Sequence, residues 1–301
     1  MESNTTEELR RDLVARLTRL LGSAERQVTA IPRLTLHRRT APTGPCHLTY
    51  EPSVIVVAQG RKHVQVGPGT LIHDPSRYLL TSLDLPAVAA VTEASDEVPC
   101  LAVSLKLDLS VVRDFFSLPE FRLSETSSSS PAITTGPATA DFLAPWCRLL
   151  QLLETPEDLP FLSGLVEREI IYRLLRGPGG ARLRAVATSG DQSQRTANAG
   201  AWIRANYAKP LRVEALAEIA GMAVSTFHRH FRALTDMSPL QYQKQIRLQA
   251  ARGRMLTDDV DAATVAFEVG YESASQFNRE YSRLFGQPPV RDVRNLRSPG
   301  V

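Results

Sequence analysis

The chain has 301 residues, 43% of them hydrophobic, and 35 lysines and arginines against 32 acids give a net charge of +3. One hydrophobic core rarely organises more than about 250–300 residues, so this length points to two domains. No run reaches the ~18 apolar residues of a membrane helix; Cys46, Cys100 and Cys147 are too few and too scattered for a disulfide scaffold or a structural zinc site; and the polar start MESNTTEELRRD lacks a signal-peptide core, so a soluble cytoplasmic protein is expected.

Residues 5–21 read as a helix. Thr5 or Thr6 caps it, Glu7 and Glu8 suit its first turn, Leu9, Leu13, Leu17 and Leu20 form a stripe, and Gly22 ends it. From about 33 to 107 the pattern changes to short β-rich runs: LTLHR, SVIVVAQ, KHVQV, RYLLTS, AVAAVT and CLAVSLKL. GPG at 67–69 marks a hairpin. Strands spaced at roughly ten residues predict a small barrel or sandwich.

Residues 124–140, SETSSSSPAITTGPATA, are poor in large apolar groups and read as a surface loop or linker. A helical hairpin follows. Trp146, Leu149, Leu150 and Leu153 stripe its first arm, and Leu162, Val166, Ile170 and Leu174 its second. Two such stripes offer more apolar surface than one hairpin buries by itself. That makes 141–175 the expected homodimer interface, with packing on the barrel of the same chain as the alternative. RGPGG at 176–180 stops the second arm, and SGDQSQ at 189–194 reads as a hinge.

Beyond the hinge almost everything reads as helix, and one phrase is written twice. FHRHFRALTDMSP begins at Phe227, and FNREYSRLFGQPP begins at Phe277. The first copy is preceded by Leu216, Ala217 and Ala220 at helical spacing, then by Gly221. Ser225 is a candidate cap for a second helix striped by Phe227, Phe231 and Leu234, whose other face carries His228, Arg229 and Arg232. The second copy repeats the plan with Gly270, the stripe Phe277, Tyr281 and Leu284, and the outer residues Asn278, Arg279 and Arg283. The stripes match at an offset of 50 and the glycines at 49, so the second turn is one residue longer. Two short helices around a tight glycine turn are the helix-turn-helix plan, which sets its second helix in the major groove of DNA. LQYQKQIRLQAARGRML at 240–256 reads as a rigid connecting helix with Tyr242, Ile246 and Ala250 on one edge. The charge agrees: residues 191–301 hold 15 basic and 11 acidic residues, a net of +4, against −1 for the rest.

These residues resemble the AraC family of bacterial transcription regulators over about 192–297. The stretches that carry the likeness are LRVEALAEIAGMAVSTFHRHFRALTDMSPLQYQKQIRLQAAR and VAFEVGYESASQFNREYSRLFGQPPVRDVRNLR. The resemblance implies a seven-helix DNA-binding domain with two recognition helices. The first would present Ser225, Thr226, His228 and Arg229; the second would present Ala274, Ser275, Asn278 and Arg279. Asp236 departs from the family, which usually has Gly there, and Ala223 stands where Ser is common. In the first half, SVIVVAQGRKHVQVG, RYLLTSLDLPAVAAVTEAS and CLAVSLKLDLS resemble the N-terminal domain of one AraC subgroup. That domain would be a cupin-like effector module.

The expected architecture is α+β in two domains. Residues 1–185 would hold a cupin-like β-barrel (about 30–110) with the helical hairpin (about 141–175); residues 192–298 would be all-α, with helix-turn-helix units at about 211–235 and 260–285. The expected partners are double-stranded DNA, a small-molecule effector and a second copy of the chain; RNA polymerase is a candidate partner, and no membrane is expected. The competing class is a cupin-type metalloenzyme carrying an accessory DNA-binding domain. Against it, His37, His47, His63 and His73 form no HxH pair, and Glu51 and Glu93 sit at no evident ligand spacing. GxSxG, GxGxxG and P-loop patterns do not occur, so neither catalysis nor a cofactor is expected. A cysteine in an apolar strand such as PCLAV reads as a core residue, with a regulatory thiol as the alternative. A third class, an architectural DNA binder without sequence preference, fits poorly. The two outer faces differ, and the basic residues are mainly Arg, which suits bidentate guanine contact.

Overall fold

The computed structural model describes residues 2–67, 69–116, 118, 131–188, 191–258 and 260–297. They divide into two compact units, residues 1–197 and 198–301, with Ala233–Asp236 grouped with the first. Each unit has its own core.

The first unit opens with α1 (Glu2–Leu21), whose Leu13, Leu17 and Leu21 are buried. Nine strands follow: β1 (Arg26–Val28), β2 (Leu34–Arg39), β3 (Cys46–Tyr50), β4 (Ser53–Gln59), β5 (Arg61–Val66), β6 (Gly69–His73), β7 (Arg77–Thr81), β8 (Leu85–Glu93) and β9 (Cys100–Lys106). Then come α2 (Leu109–Phe116), β10 (Ile133–Pro137), α3 (Ala140–Gln151), α4 (Leu159–Arg176) and α5 (Gly180–Ala187). One sheet runs β1-β2-β9-β4-β7-β10 and the other β3-β8-β5-β6, and every pair is antiparallel.

Alternation assigns the faces of the larger sheet. Leu34, Leu36, Val54, Val56, Leu80, Leu101, Val103 and Leu105 join Leu13 and Leu17 of α1 and Trp146, Leu149 and Leu150 of α3 in one core. The alternate residues, among them His37, Ile55, Leu79, Cys100 and Ala102, therefore face the smaller sheet. This is the expected barrel, with its outer wall sealed by helices. Gly60 between β4 and β5 is forced: at φ 82° its missing Cβ would lie 2.6 Å from the Glu93 carbonyl oxygen and 2.8 Å from the Cys100 Cα.

Three expectations change. Residues 133–137, read as loop, form β10, which pairs with β7 from Ile133↔Thr81 to Pro137↔Arg77; residues 124–130 of that stretch lie outside the described residues. β10 supplies the edge partner that β7 needs, so tertiary hydrogen bonding overrides a weak local pattern. Within the expected hinge, residues 192–194 begin α6 (Gln192–Ala205), and residues 189–190 lie outside the described residues. The hairpin stripes are consumed at home: Trp146, Leu149, Leu150, Val166, Ile170 and Leu174 are all buried in the unit's own core. Leu162, at the start of the same stripe, stays 41% exposed, and Leu153 is half-buried against that core.

The second unit continues α6 with α7 (Val213–Ile219), α8 (Val224–Thr235), α9 (Pro239–Thr257), α10 (Ala262–Glu268), α11 (Ala274–Phe285) and α12 (Pro289–Arg297). Among the described residues no helix is long and apolar enough to cross a membrane.

Candidate nucleic-acid interface

Two helix-turn-helix units stand in the second half. α7 and α10 are each seven residues long and start 49 apart; α8 and α11 are each twelve long and start 50 apart. The turns hold Gly221 at φ 58° and Gly270 at φ 94°. Gly270 is doubly fixed, because a Cβ there would lie 2.1 Å from the Ala208 carbonyl oxygen. Both second helices end in a left-handed residue, Asp236 at φ 61° and Gly286 at φ 79°. Asp tolerates that region better than most residues, so the turn survives the missing glycine.

Aromatic rings lock each second helix onto its neighbours. Phe227 meets Phe231, and Phe231 meets Tyr242 of α9 edge-on, both at 5.4 Å between centroids. In the second unit Phe277 meets Tyr271 and Tyr281, again at 5.4 Å. Phe227, Phe231, Phe277, Tyr281 and Tyr242 are fully buried. α9 contributes Tyr242 to the first cluster and Leu248, Ala251 and Met255 to the second core, so one rod ties both units together. Its N-terminus carries a full capping box between Ser238 and Gln241.

The helix starts differ from the sequence reading at one point. The Phe227 N–H donates to the Ala223 carbonyl at 2.9 Å, so α8 begins after Ala223, and Ser225 lies inside the first turn rather than at the cap. Ala223 has no side-chain acceptor. The matching residue in the second unit, Ser273, does cap α11, its Oγ accepting from the Gln276 N–H at 3.4 Å.

Of the ten residues singled out, Ser225, Arg229, Arg232, Ser275, Asn278, Arg279 and Arg283 are exposed, while Thr226, His228 and Ala274 are half-buried. Asn278, Arg279 and Arg283 line one shallow groove on α11 with Ser282, closed by Pro288 and Pro289. Ser282 was missed in the sequence, although its spacing of four from Asn278 places it on that face.

The arginines of this unit fall into two groups. Arg247 donates to the carbonyls of Tyr207 (2.6 Å) and Lys209 (2.9 Å). Arg252 grips the buried carboxylate of Asp292 with two bonds of 2.8 and 2.9 Å and stacks 4.5 Å over Phe285. Asp292 also accepts from the Tyr281 hydroxyl at 2.7 Å, and burial with this bond holds that phenol protonated well above its ordinary range. Arg254 pairs with Asp258 and Glu268. By contrast Arg229, Arg232, Arg279 and Arg283 make no hydrogen bond or ion pair among the described residues. Four uncompensated guanidinium groups on the outer faces of the paired helices are a ready surface for phosphate and base edges.

Among the described residues no group of three His, Cys, Asp or Glu side chains could hold an ion. His37 bonds Ser104, His63 is exposed, and His73 is buried. Glu93 pairs with Arg61 at 2.7 Å, and Glu51 pairs with Lys106. All three cysteines are free. Burial pushes the Cys147 thiol up to about 12, and it also raises Cys100, so neither is a thiolate at neutral pH.

A barrel unit followed in the chain by paired helix-turn-helix units defines a two-domain transcription-regulator fold. The family model described as the AraC-type transcriptional regulator N-terminus matches residues 30–182, and one described as a helix-turn-helix domain matches residues 216–295. The chain belongs to the AraC family. Among curated relatives it is 28% identical over 156 residues to the HTH-type transcriptional activator RhaS of Escherichia fergusonii, covering 51% of this chain and 55% of that protein. It is 28% identical over 102 residues to RhaS of Pectobacterium carotovorum, covering 34% of this chain and 37% of that one. The chain therefore spans about half or less of the length of the curated relatives it matches. Its fold is shared by ToxT of Vibrio cholerae. That structure superposes with a TM-score of 0.56 at 10% identity, covering 89% of this chain and 98% of that one. ToxT solved with an unsaturated fatty acid bound gives 0.53 at 8% identity, covering 86% and 94%.

Proposed function

We propose that this chain is a sequence-specific DNA-binding transcription regulator whose N-terminal unit responds to a small-molecule effector, acting in the cytoplasm and without catalysis. The carrying observation is the pair of twelve-residue helices at an offset of 50, each with two exposed arginines that have no partner among the described residues. α8 and α11 enter successive major-groove segments on one face of the duplex. α9 is 19 residues long, or about 28 Å at ~1.5 Å per residue, comparable with the ~34 Å between such segments. The functional boundaries follow the sequence: a regulatory domain over 1–185 and a DNA-binding domain over 192–298, with the reading units at 211–235 and 260–285.

A second copy of the chain is the proposed partner of α4. Phe161 is 76% exposed, Leu165 63% and Leu162 41%, an apolar patch at the helix start that its own unit does not cover. The decisive experiment is selection of binding sites from random DNA by the purified chain. A single asymmetric motif spanning two adjacent helical turns is the expected result. Recovery of no motif refutes sequence-specific recognition.

A further inference from the structure

The barrel interior holds positive charge that the protein does not neutralise. β5 and β6 pair with Lys62 directly opposite His73, so both side chains leave the same face of the smaller sheet about 5 Å apart. Lys62 also lies opposite the buried Val91 of β8, which fixes that face as the inner one. Across from it, on the larger sheet, stand His37 and Arg39 of β2 and Cys100 of β9.

Lys62 is half-buried and makes no ion pair with a carboxylate among the described residues. Its neighbours Arg39 and Arg61 have theirs, Glu25 at 2.8 Å and Glu93 at 2.7 Å. Burial accordingly drives the Lys62 ammonium below its ordinary range. His73 is 1% exposed, and its Nε2 has no hydrogen-bond partner among the described residues. Burial and the nearby Lys62 hold this ring neutral, down to about 3. Backbone hydrogen bonding at Ile55 and Arg77 favours a proton on the ring, and since Nε2 is the unpartnered nitrogen, that proton sits on Nδ1. Nε2 is thus a bare acceptor, buried beside a bare ammonium. Each arrangement alone is costly, and native interiors rarely leave such groups unmatched.

We propose that Lys62 and His73 hold the effector and that it is a small hydroxy acid. The ligand's carboxylate accepts from Lys62 Nζ, and its hydroxyl, on the second or third carbon of the acid, donates to His73 Nε2. His37 is already engaged with Ser104 at 2.9 Å and closes the far wall without demanding a ligand atom. Ala102 and Val57, buried alongside, leave an apolar lining for a short carbon chain. The site deepens the reading of the N-terminal unit as a regulatory module, and rests on it for the word effector.

The test uses the full chain, with L-lactate and 3-hydroxybutyrate as probes and propionate, butyrate and lactamide as controls, read by calorimetry and by thermal denaturation. Hydroxy acids should bind most tightly, the plain acids more weakly, and the amide not measurably. Lys62→Gln removes an unpaired charge and should fold at least as well as the parent while binding hydroxy acids roughly tenfold more weakly or worse. His73→Leu should abolish the preference of hydroxy acid over plain acid. Equal binding of acid and amide, no binding of any probe, or a Lys62→Gln variant that binds like the parent overturns the site. Affinity for selected DNA is measured with and without the probe. A probe that binds at Lys62 yet leaves DNA affinity unchanged upholds the site and refutes the regulatory reading instead.

Discussion

Arg279 and Arg283 lie on the same face of α11, four residues and one helical turn apart, about 5–6 Å along the axis. Both are exposed and neither has a partner among the described residues. Truncating either to alanine therefore removes nothing from the folded protein, and stability should change by no more than about 0.5 kcal/mol. Any change in DNA affinity then reports the contact itself. Arg279 is the sixth residue of α11 and sits in the half of a recognition helix that meets base edges. A bidentate guanine contact discriminates by about 1–3 kcal/mol, so Arg279→Ala should weaken the selected site roughly 5- to 150-fold and flatten preference at one or two positions. Arg283 sits a turn further on, where a phosphate contact is the expectation. Arg283→Ala should weaken all sequences alike and reduce the salt slope by about one unit.

The assay is competition over single-base variants of the selected site at two salt concentrations. Arg252→Ala serves as the contrast: it strips the partner from buried Asp292, so its loss should appear first in stability. Arg229→Ala, on α8, should relax base preference about ten base pairs away if, as proposed, the two units read segments one turn of DNA apart. If Arg279→Ala loses affinity uniformly while Arg283→Ala alters base preference, the placement of α11 in the groove is wrong.

Four further outcomes are expected. The fragment from about 190 to 301 has its own core and should fold alone and bind the selected site; an unfolded circular-dichroism spectrum contradicts this. Leu165→Glu, at a position 63% exposed on α4, should turn a sedimenting dimer into a monomer without lowering the melting temperature; a parent chain that is already monomeric at micromolar concentration refutes the interface. Asp292→Ala strands Arg252 and the Tyr281 hydroxyl and should cost about 3–5 kcal/mol in denaturant titration of the fragment. Burial lowers His37 to about 4 and His73 to about 3 from an ordinary 6.5. The unfolded chain then binds more protons, so stability of the N-terminal unit should fall as pH drops from 6.5 towards those values. Replacing His73 by Leu should flatten that slope, and an unchanged slope rules the residue out as its source.

Much of the second half was legible because its signals are local. The stripes Phe227–Phe231–Leu234 and Phe277–Tyr281–Leu284, the two glycine turns and their one-residue mismatch can all be read without tertiary information. The first half was legible only in outline. β1, β3, β6 and β10 are short or half-exposed, and they are strands because neighbouring backbones demand hydrogen bonds, not because their residues alternate. The same gap separates residue type from role. Arg252 and Arg279 are identical letters on exposed-looking helical faces. One is bound twice to Asp292, 40 positions away in sequence, and the other is bound to nothing among the described residues. Lys62 shows the converse. In sequence it is one more basic residue in the run GRKHVQV, but the register that sets it between His73 and Val91 gives it no acid to answer among the described residues. A cation left unpaired at the surface costs little and waits for phosphate, whereas one left unpaired inside a barrel is destabilising until something anionic arrives. The location of unmatched charge, which only the fold decides, distinguishes the surface that would read DNA from the barrel residues that would sense a ligand.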